Sequence, residues 1–348
     1  MEKIKNIEIT NFKSIKHLKI DGCNKINVFI GQPNAGKSNI LEALGLFGSL
    51  NEGLSPFIRY NKNDELFFEG DILTDIKIKL DNVVLNIIDK NNKTDNSNFN
   101  QYKDIMIPTL GFDENLFFGY YVIKNDKKSI FDEEQLSIRY DKKDCRDIKY
   151  YNFNKQFELK ETFNQIDEKH VSGYDKLGYL LSRESKLREE IKKIFDKNNL
   201  KFLVEKNTEE IKIFKEYQDG TVFILPYNMI ADTLQRLIFY KAAIMSNSNS
   251  TLLFEEPEAH CFEPYILEFT NSVKYDENDN QFFIVTHSEF IIQEFLRDEE
   301  SKENTNIYLV NNVDGETKVK LLDKKNNDDV YEFGMNPFFN FENLWDNN

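Results

Sequence analysis

The sequence predicts a mixed α/β fold, a parallel core sheet with antiparallel strands added to it. Two observations predict it. Three short apolar runs, 26–30, 251–254 and 282–285, read as buried strands, and each leads through a polar turn into a helical pattern. Segments at the start of the chain and near its end alternate loosely between apolar and polar residues, as half-exposed antiparallel strands do.

Taken in order, Ile4, Ile7 and Ile9 alternate with Lys and Glu. Asn11-Phe12-Lys13-Ser14 interrupts, Ile15, Leu18 and Ile20 resume, and Asp21-Gly22 marks a turn. The strand 26–30 ends in Gly31-Gln32-Pro33-Asn34-Ala35-Gly36-Lys37-Ser38, after which Ile40, Leu41, Leu44 and Phe47 fall on one helical face. Leu66-Phe67-Phe68 and Ile76-Lys77-Ile78-Lys79-Leu80 read as strands, and the Asn-rich stretch 89–100 as a loop or the entry to an insertion. From 101 to 200 the pattern is irregular and rich in Tyr, Phe and Lys. Its one clear element is a helix over 175–197, where Leu177, Leu180, Leu181, Leu187, Ile191 and Ile194 supply the apolar face. That helix is too short for a long coiled-coil arm, and no heptad is sustained. Strands 212–214 and 222–225 flank the turn Gln218-Asp219-Gly220-Thr221, and helices are expected over 232–245, 263–273 and 289–299. A last hairpin, 307–310 with 318–322, turns at Asp314-Gly315.

Composition limits the function. The chain has 348 residues, enough for one large core or two smaller ones, and its 30 Phe and 16 Tyr supply the apolar bulk that a disordered chain lacks. Its net charge of −15 argues against non-specific coating of DNA, which needs a net basic surface, although a local basic groove stays open. No apolar run approaches the about 18 residues of a membrane helix. The start of the chain lacks a signal peptide's apolar core. The 3 cysteines, Cys23, Cys145 and Cys261, are too scattered for a disulfide framework or a metal site. A cytoplasmic protein is the expectation.

Residues 31–38 fit G-x-x-x-x-G-K-[ST] without mismatch. In this motif small residues let the backbone wrap phosphates, and the next helix adds its positive N-terminal end. Lys37 is then expected to neutralise the β- and γ-phosphates of ATP, and the Ser38 hydroxyl to ligate Mg²⁺. A chance glycine turn would lack the flanking strand and helix. The second apolar strand ends in paired carboxylates, Glu255-Glu256. Two adjacent acids at a buried strand end repel each other, so they need a cation or a task. Opposite a phosphate loop, Glu255 is expected to hold Mg²⁺ and Glu256 to polarise the attacking water. His287 follows the third apolar strand, at the edge where open α/β sheets bind ligands, and is a candidate γ-phosphate contact. His260 also falls just past a strand end.

Together these residues resemble the RecF/SMC/OLD branch of ABC-type ATPases. Gly31-x-x-Asn34-x-Gly36-Lys37-Ser38-Asn39-x-Leu41-Glu42-Ala43-Leu44 is similar to their Walker A region, which makes Gly31, Asn34, Ala35, Gly36, Lys37, Ser38 and Asn39 the nucleotide-binding set. Asn11-Phe12-Lys13-Ser14 resembles their N-terminal signature. Phe254-Glu255-Glu256-Pro257-Glu258-Ala259-His260 resembles the OLD-type Walker B and D-loop, and Thr286-His287-Ser288 the switch histidine. The likeness covers 1–48 and 225–300. It implies an ABC-type P-loop ATPase head with a mixed sheet, an inserted α/β subdomain, and ATP sandwiched between two protomers of at least a dimer. The segment matching the trans-acting signature offers Asp232, Thr233 and Arg236. Ala231 and Thr233 stand where the family has Ser and Gly, which suggests slow turnover or a γ-phosphate read by Arg236 or Thr233. Cys261-Phe262-Glu263-Pro264 also departs from the family's Leu-His-Pro. The Q-loop is sought near 59–68.

The resemblance divides the chain into an N-terminal lobe (1–88), an insertion (89–210), a C-terminal lobe (211–325) and an aromatic, acidic tail (326–348). The tail holds the only Trp and reads either as self-packing or as a docking segment. The charge run 186–201 reads as a solvated face, against a nucleic-acid contact. OLD proteins carry a TOPRIM nuclease after the ATPase. The residues beyond His287 hold no Asp-x-Asp pair, so no nuclease in cis is expected. ATPase-only members resemble subunits of two-gene anti-phage systems such as PARIS, where a separate toxin or nuclease is the effector and a phage protein or nucleic acid the trigger. A RecF-like repair ATPase and a scaffold that barely hydrolyses ATP are the alternatives.

Overall fold

In the computed structural model, the described residues are 3–47, 58–89, 106–108, 116–124, 127–130, 148–153 and 174–347. Most of the stretch expected as a loop, 90–100, lies outside them, as does much of the insertion.

The chain begins with the hairpin β1 (Asn6–Phe12) and β2 (Ile15–Asp21), then enters β3 (Ile26–Gly31) and α1 (Lys37–Gly45). β4 (Ile76–Leu80), β5 (Val83–Asp89), β6 (Met106–Pro108), β7 (Leu116–Lys124), β8 (Lys127–Ile130) and β9 (Ile148–Tyr151) follow. A helical stretch comes next: α2 (Tyr174–Arg183), α3 (Ser185–Lys197), the strands β10 (Lys201–Val204), β11 (Ile211–Glu216) and β12 (Val222–Leu225), and α4 (Asp232–Met245). The chain continues through β13 (Thr251–Glu255), α5 (Glu263–Lys274), β14 (Gln281–Val285), α6 (Glu289–Leu296) and α7 (Glu299–Glu303). It ends with β15 (Thr305–Val313), β16 (Glu316–Leu321), α8 (Lys324–Glu332) and α9 (Phe341–Asn347).

Two compact units result. The first comprises Met1–Tyr150, Ser250–Glu255 and Gln281–Asn348, the second Tyr151–Asn249 and Glu256–Asn280. The first unit holds two sheets. One is antiparallel, ordered β2-β1-β4-β5-β7-β6 with β8 on β7, so strands from the insertion extend the sheet begun at the N-terminus. The other is mixed, ordered β16-β15-β3-β14-β13-β9. Its centre, β15, β3, β14 and β13, is parallel, and β16 joins antiparallel. β3 and β14 are buried at every position, as the unbroken apolar runs require of strands covered on both faces. Phe29 stacks on Tyr308 and Phe283 within this core, which is continuous with Ile7, Ile9 and Ile78 of the antiparallel sheet.

The second unit packs α2, α3 and α4 around Leu181, Ile191, Leu234 and Ile238, with the antiparallel sheet β10-β11-β12. The helix expected over 175–197 is two helices. The break falls at Glu184, where Arg188 turns back and donates to the carbonyls of Leu181 (2.6 Å) and Ser182 (3.3 Å), satisfying end groups of α2. On α3, Leu187, Ile191 and Ile194 are buried while Lys186, Lys192 and Lys193 face solvent, as a solvated charged face does.

Leu66-Phe67-Phe68 is not a strand. Short 3₁₀ turns occupy Asn63–Leu66 and Phe68–Gly70, and a single bridge joins Phe67 to Phe12. Glu65 caps the first turn by accepting from the Asn61 backbone at 2.7 Å, a local bond that competes with extension. The helix expected over 289–299 also ends early, at Leu296, because Asp298 caps the next turn through Ser301 N. No helix among the described residues is long and apolar enough to cross a membrane.

Candidate functional site

Register sets the site. Glu255 lies across from Val285, Val285 across from Phe29, and Gly31 across from Val310. Gly31, Glu255 and His287 therefore reach the same carboxyl edge of the parallel strands, where open α/β sheets place ligands.

The loop that leaves β3 depends on its glycines. A Cβ on Gly31 would sit 2.0 Å from the Val310 carbonyl oxygen of β15. Gly36 has φ +93°, and a Cβ there would sit 2.0 Å from Thr317 Oγ1 and 2.7 Å from Ser14 Oγ. Those two hydroxyls form a relay under the loop. Thr317 donates to the Ala35 carbonyl at 3.1 Å, which uses its only proton, so Ser14 donates to Thr317 at 2.7 Å. Asn39 Nδ2 then donates to Ser14 at 2.7 Å. Thr317 N also donates to the Ser14 carbonyl at 2.8 Å, which ties β16 to the β1–β2 turn. Thr317 is fully buried.

With the loop held in this way, α1 begins at Lys37 with no side-chain cap, and its positive N-terminal end faces the loop. Lys37 Nζ donates to the carbonyls of Gly31 (3.0 Å) and Gln32 (2.8 Å), folded back over its own loop. Asn34 is exposed at φ 60° and Ala35 is buried, while Ser38 is partly buried in the first turn.

Behind α1 lies a chain of charges. Glu42 is fully buried and receives Lys13 and, at 2.8 Å, Arg59 Nε. Lys13 also donates to the Arg59 carbonyl at 2.6 Å. Burial lowers the Lys13 ammonium despite the opposing pull of Glu42. Burial pulls the Arg59 guanidinium down too, but the Glu42 hydrogen bond and charge outweigh it and leave Arg59 raised. Arg59 Nη2 comes within 3.6 Å of Glu255 Oε1, and the Tyr150 hydroxyl donates to Glu255 Oε2. Burial first, then the Glu255 charge, holds the Tyr150 phenol well above its usual range. β9 lies beside β13, which is how Tyr150 reaches Glu255.

His287 is exposed and its ring stacks on Phe338, with centroids 6.3 Å apart and planes at 26°. Ser288 caps α6 by accepting from Ile291 N.

The first unit thus brings together the phosphate loop, Glu255 and His287. The remaining predicted residues belong to the second unit. Glu256 is exposed in the left-handed region (φ 45°), an uncommon conformation for a non-glycine residue. His260, in the same loop, is also left-handed (φ 57°). Asp232 and Thr233 open α4 and are partly buried. Arg236 is 12% exposed, bound to Asp232 at 3.2 Å and lying 4.6 Å over the Phe153 ring. Its side chain is engaged inside this unit. Sequence reasoning missed Thr317 and Tyr150, and placed Phe338 in the aromatic tail without linking it to His287. Thr317 lies 282 positions from its loop partner, and neither Tyr150 nor Phe338 falls in a recognisable motif.

A phosphate loop, an acidic strand end and a histidine on one edge of a mixed sheet define a P-loop ATPase head of the ABC type. Residues 26–293 match the family described as "AAA domain, putative AbiEii toxin, Type IV TA system", and the chain belongs to this family, AAA_21. Two solved structures share the fold. An Smc head bound to the C-terminal winged-helix domain of ScpA aligns with TM-score 0.52 and 14% identity, covering 93% of this chain and 98% of that one. An Smc head with an extended coiled coil, bound to a ScpA C-terminal domain derived from Pyrococcus furiosus, aligns with TM-score 0.51 and 14% identity, covering 93% and 97%. Shorter matches join the chain to curated proteins. An uncharacterized Methanocaldococcus jannaschii protein is 50% identical over 56 residues, 16% of this chain and 26% of that protein. A Helicobacter pylori ATP/GTP phosphatase is 58% identical over 41 residues, 12% of this chain and 11% of the phosphatase. The DNA replication and repair protein RecF of Lactococcus lactis is 48% identical over 42 residues, 12% of each chain. The matched segments span about a quarter or less of these relatives.

The charge chain behind α1 yields a stability prediction. Glu42→Gln leaves the nearly buried Lys13 without its carboxylate, and denaturant titration should show a loss of about 3 kcal/mol. Adding Lys13→Met should restore much of that loss, because the uncompensated charge is then gone.

Proposed function

We propose that the chain binds and hydrolyses ATP and works as a nucleotide-driven switch subunit. The observation that carries this reading is the buttressed, uncapped loop at residues 31–38, with Glu255 on the same sheet edge. In this reading the N–H groups of α1 and the loop hold the phosphates. Lys37 leaves the carbonyls of Gly31 and Gln32 to neutralise the β- and γ-phosphates. Asn34, Ala35 and Gly36 form the wall of the cradle, and Asn39 secures it through Ser14.

The residues present fit Mg²⁺. Ser38 and Glu255 offer hard oxygen donors, and no group of three or more His, Cys, Asp or Glu among the described residues competes with them as a metal site. Mg²⁺ uses one or two protein ligands together with phosphates and waters, so this short donor set suits it. When bound, Mg²⁺ supplies charge neutralisation at the phosphates. Tyr150 and Arg59 orient the Glu255 carboxylate, Glu256 accepts the proton of the attacking water, and His287 donates to the γ-phosphate.

Asp232 and Thr233 are the candidates for contact in trans, which requires a homo-oligomer of at least two protomers. Arg236, the third candidate, is held by Asp232 and Phe153 in the free chain and would have to leave them to reach a γ-phosphate. An effector supplied by a second protein, a toxin or nuclease in a cytoplasmic anti-phage system, is the reading favoured by the resemblance to PARIS-type subunits and by the toxin–antitoxin description of the family. A RecF-like DNA accessory role draws on a 42-residue match and on the same nucleotide site. The net charge of −15 weighs against it.

Glu256→Gln should bind ATP and hydrolyse it about 100-fold or more slowly, while Lys37→Ala should lose nucleotide binding in calorimetry. Normal turnover by Glu256→Gln would remove Glu256 from the base role. For the partner, native mass spectrometry of the tagged chain, expressed with its neighbouring genes and purified with ATP and Mg²⁺, should show a defined complex with a second gene product. A homo-oligomer carrying only nucleic acid would move the reading to DNA repair.

A further inference from the structure

The segment 336–345 touches the site at three places. Glu342 Oε1 accepts from Gln32 Nε2 of the phosphate loop at 3.1 Å. Phe338 stacks on the face of the His287 ring. Asn336 Nδ2 donates to Glu289, in the first turn of α6 and two residues past that histidine. The segment is itself well fixed. Asn336 Oδ1 accepts from Phe338 N (2.9 Å) and Phe339 N (3.1 Å), and Phe341 and Leu344 are anchored in the core at 2% and 3% exposure. Trp345 stacks on Phe341 at 6.2 Å, and Lys320 Nζ of β16 lies 4.9 Å from its ring centroid. β16 also carries Thr317, which buttresses the loop.

Stacking constrains the plane of an imidazole by its face. The two ring nitrogens, whose hydrogen bonds lie in that plane, stay directed along the edge. We propose that Phe338 is a positioning residue for His287, and that the segment 336–345 couples occupancy of the phosphate loop to its own position. This rests on the nucleotide reading given above. Coupling is reciprocal: with the docked segment holding His287 for nucleotide, nucleotide favours the docked segment by the same factor, and loosening the segment weakens nucleotide binding.

Trp345 is the chain's only tryptophan, so its emission reports on this segment without labelling. Titrating the full chain with ATP and Mg²⁺ should give a saturable emission change whose midpoint matches the Kd from calorimetry. Phe338→Ala should abolish that change and weaken nucleotide binding about fivefold, the lower end of ordinary coupling. Phe338→Tyr, which keeps the stack, should retain both. Glu342→Ala, which removes the acceptor for Gln32 Nε2, should reduce the emission change with the fold intact by circular dichroism. Binding in calorimetry with no Trp345 response, or an unchanged response in Phe338→Ala, would overturn the inference and leave the nucleotide reading standing. No binding at all in the native chain would overturn both.

Discussion

The site depends on a relay of hydrogen bonds that runs from Asn39 to Ser14, to Thr317 and to the Ala35 carbonyl. It joins three distant parts of the chain beneath one glycine and leaves Gly36 no room for a side chain. The relay is fully committed, because each hydroxyl spends its single proton on the next acceptor. A buried, satisfied network of this kind specifies one arrangement where an unsatisfied one would cost stability. With the loop fixed from below, α1 starts at Lys37 without a side-chain cap. The antiparallel β1–β2 hairpin and the β15–β16 hairpin thus support the phosphate loop from below.

A second constraint is electrostatic. Glu42 sits in the core with Lys13 and Arg59, and Arg59 reaches on to Glu255, whose other oxygen accepts a hydrogen bond from the Tyr150 hydroxyl. Two carboxylates, Glu42 and Glu255, are thus matched by two cationic side chains, Lys13 and Arg59. Arg59 is 63% exposed and so contributes less to stability than to the direction of Glu255. The same residue that faces the sheet edge is therefore connected to the buried face of α1.

Much of this was legible in the sequence, and the failures are physical. The apolar runs of β3, β13 and β14 read as buried strands from their length and flanking turns, and spacing set the glycines and lysine of residues 31–38 between a strand and a helix. The loop support was not legible. Thr317 looks like any exposed hairpin threonine until β16 folds back onto the β1–β2 turn. Tyr150 lies in a stretch whose irregular pattern hid the strand β9, and that strand becomes apparent only from its place beside β13. The apolar triplet 66–68 suggested a strand, yet capping by Glu65 favoured tight turns. Arg236 matched a motif, but its burial against Phe153 and Asp232 could not be read from spacing.

The most direct test of the central claim is a crystal structure of the chain with Mg²⁺ and a non-hydrolysable ATP analogue. It should place the phosphates on the first turn of α1, with Lys37 Nζ moved from the carbonyls of Gly31 and Gln32 to the β- and γ-phosphates and Glu255 facing the metal. A structure in which Lys37 stays on those carbonyls and the analogue binds elsewhere or not at all would contradict it.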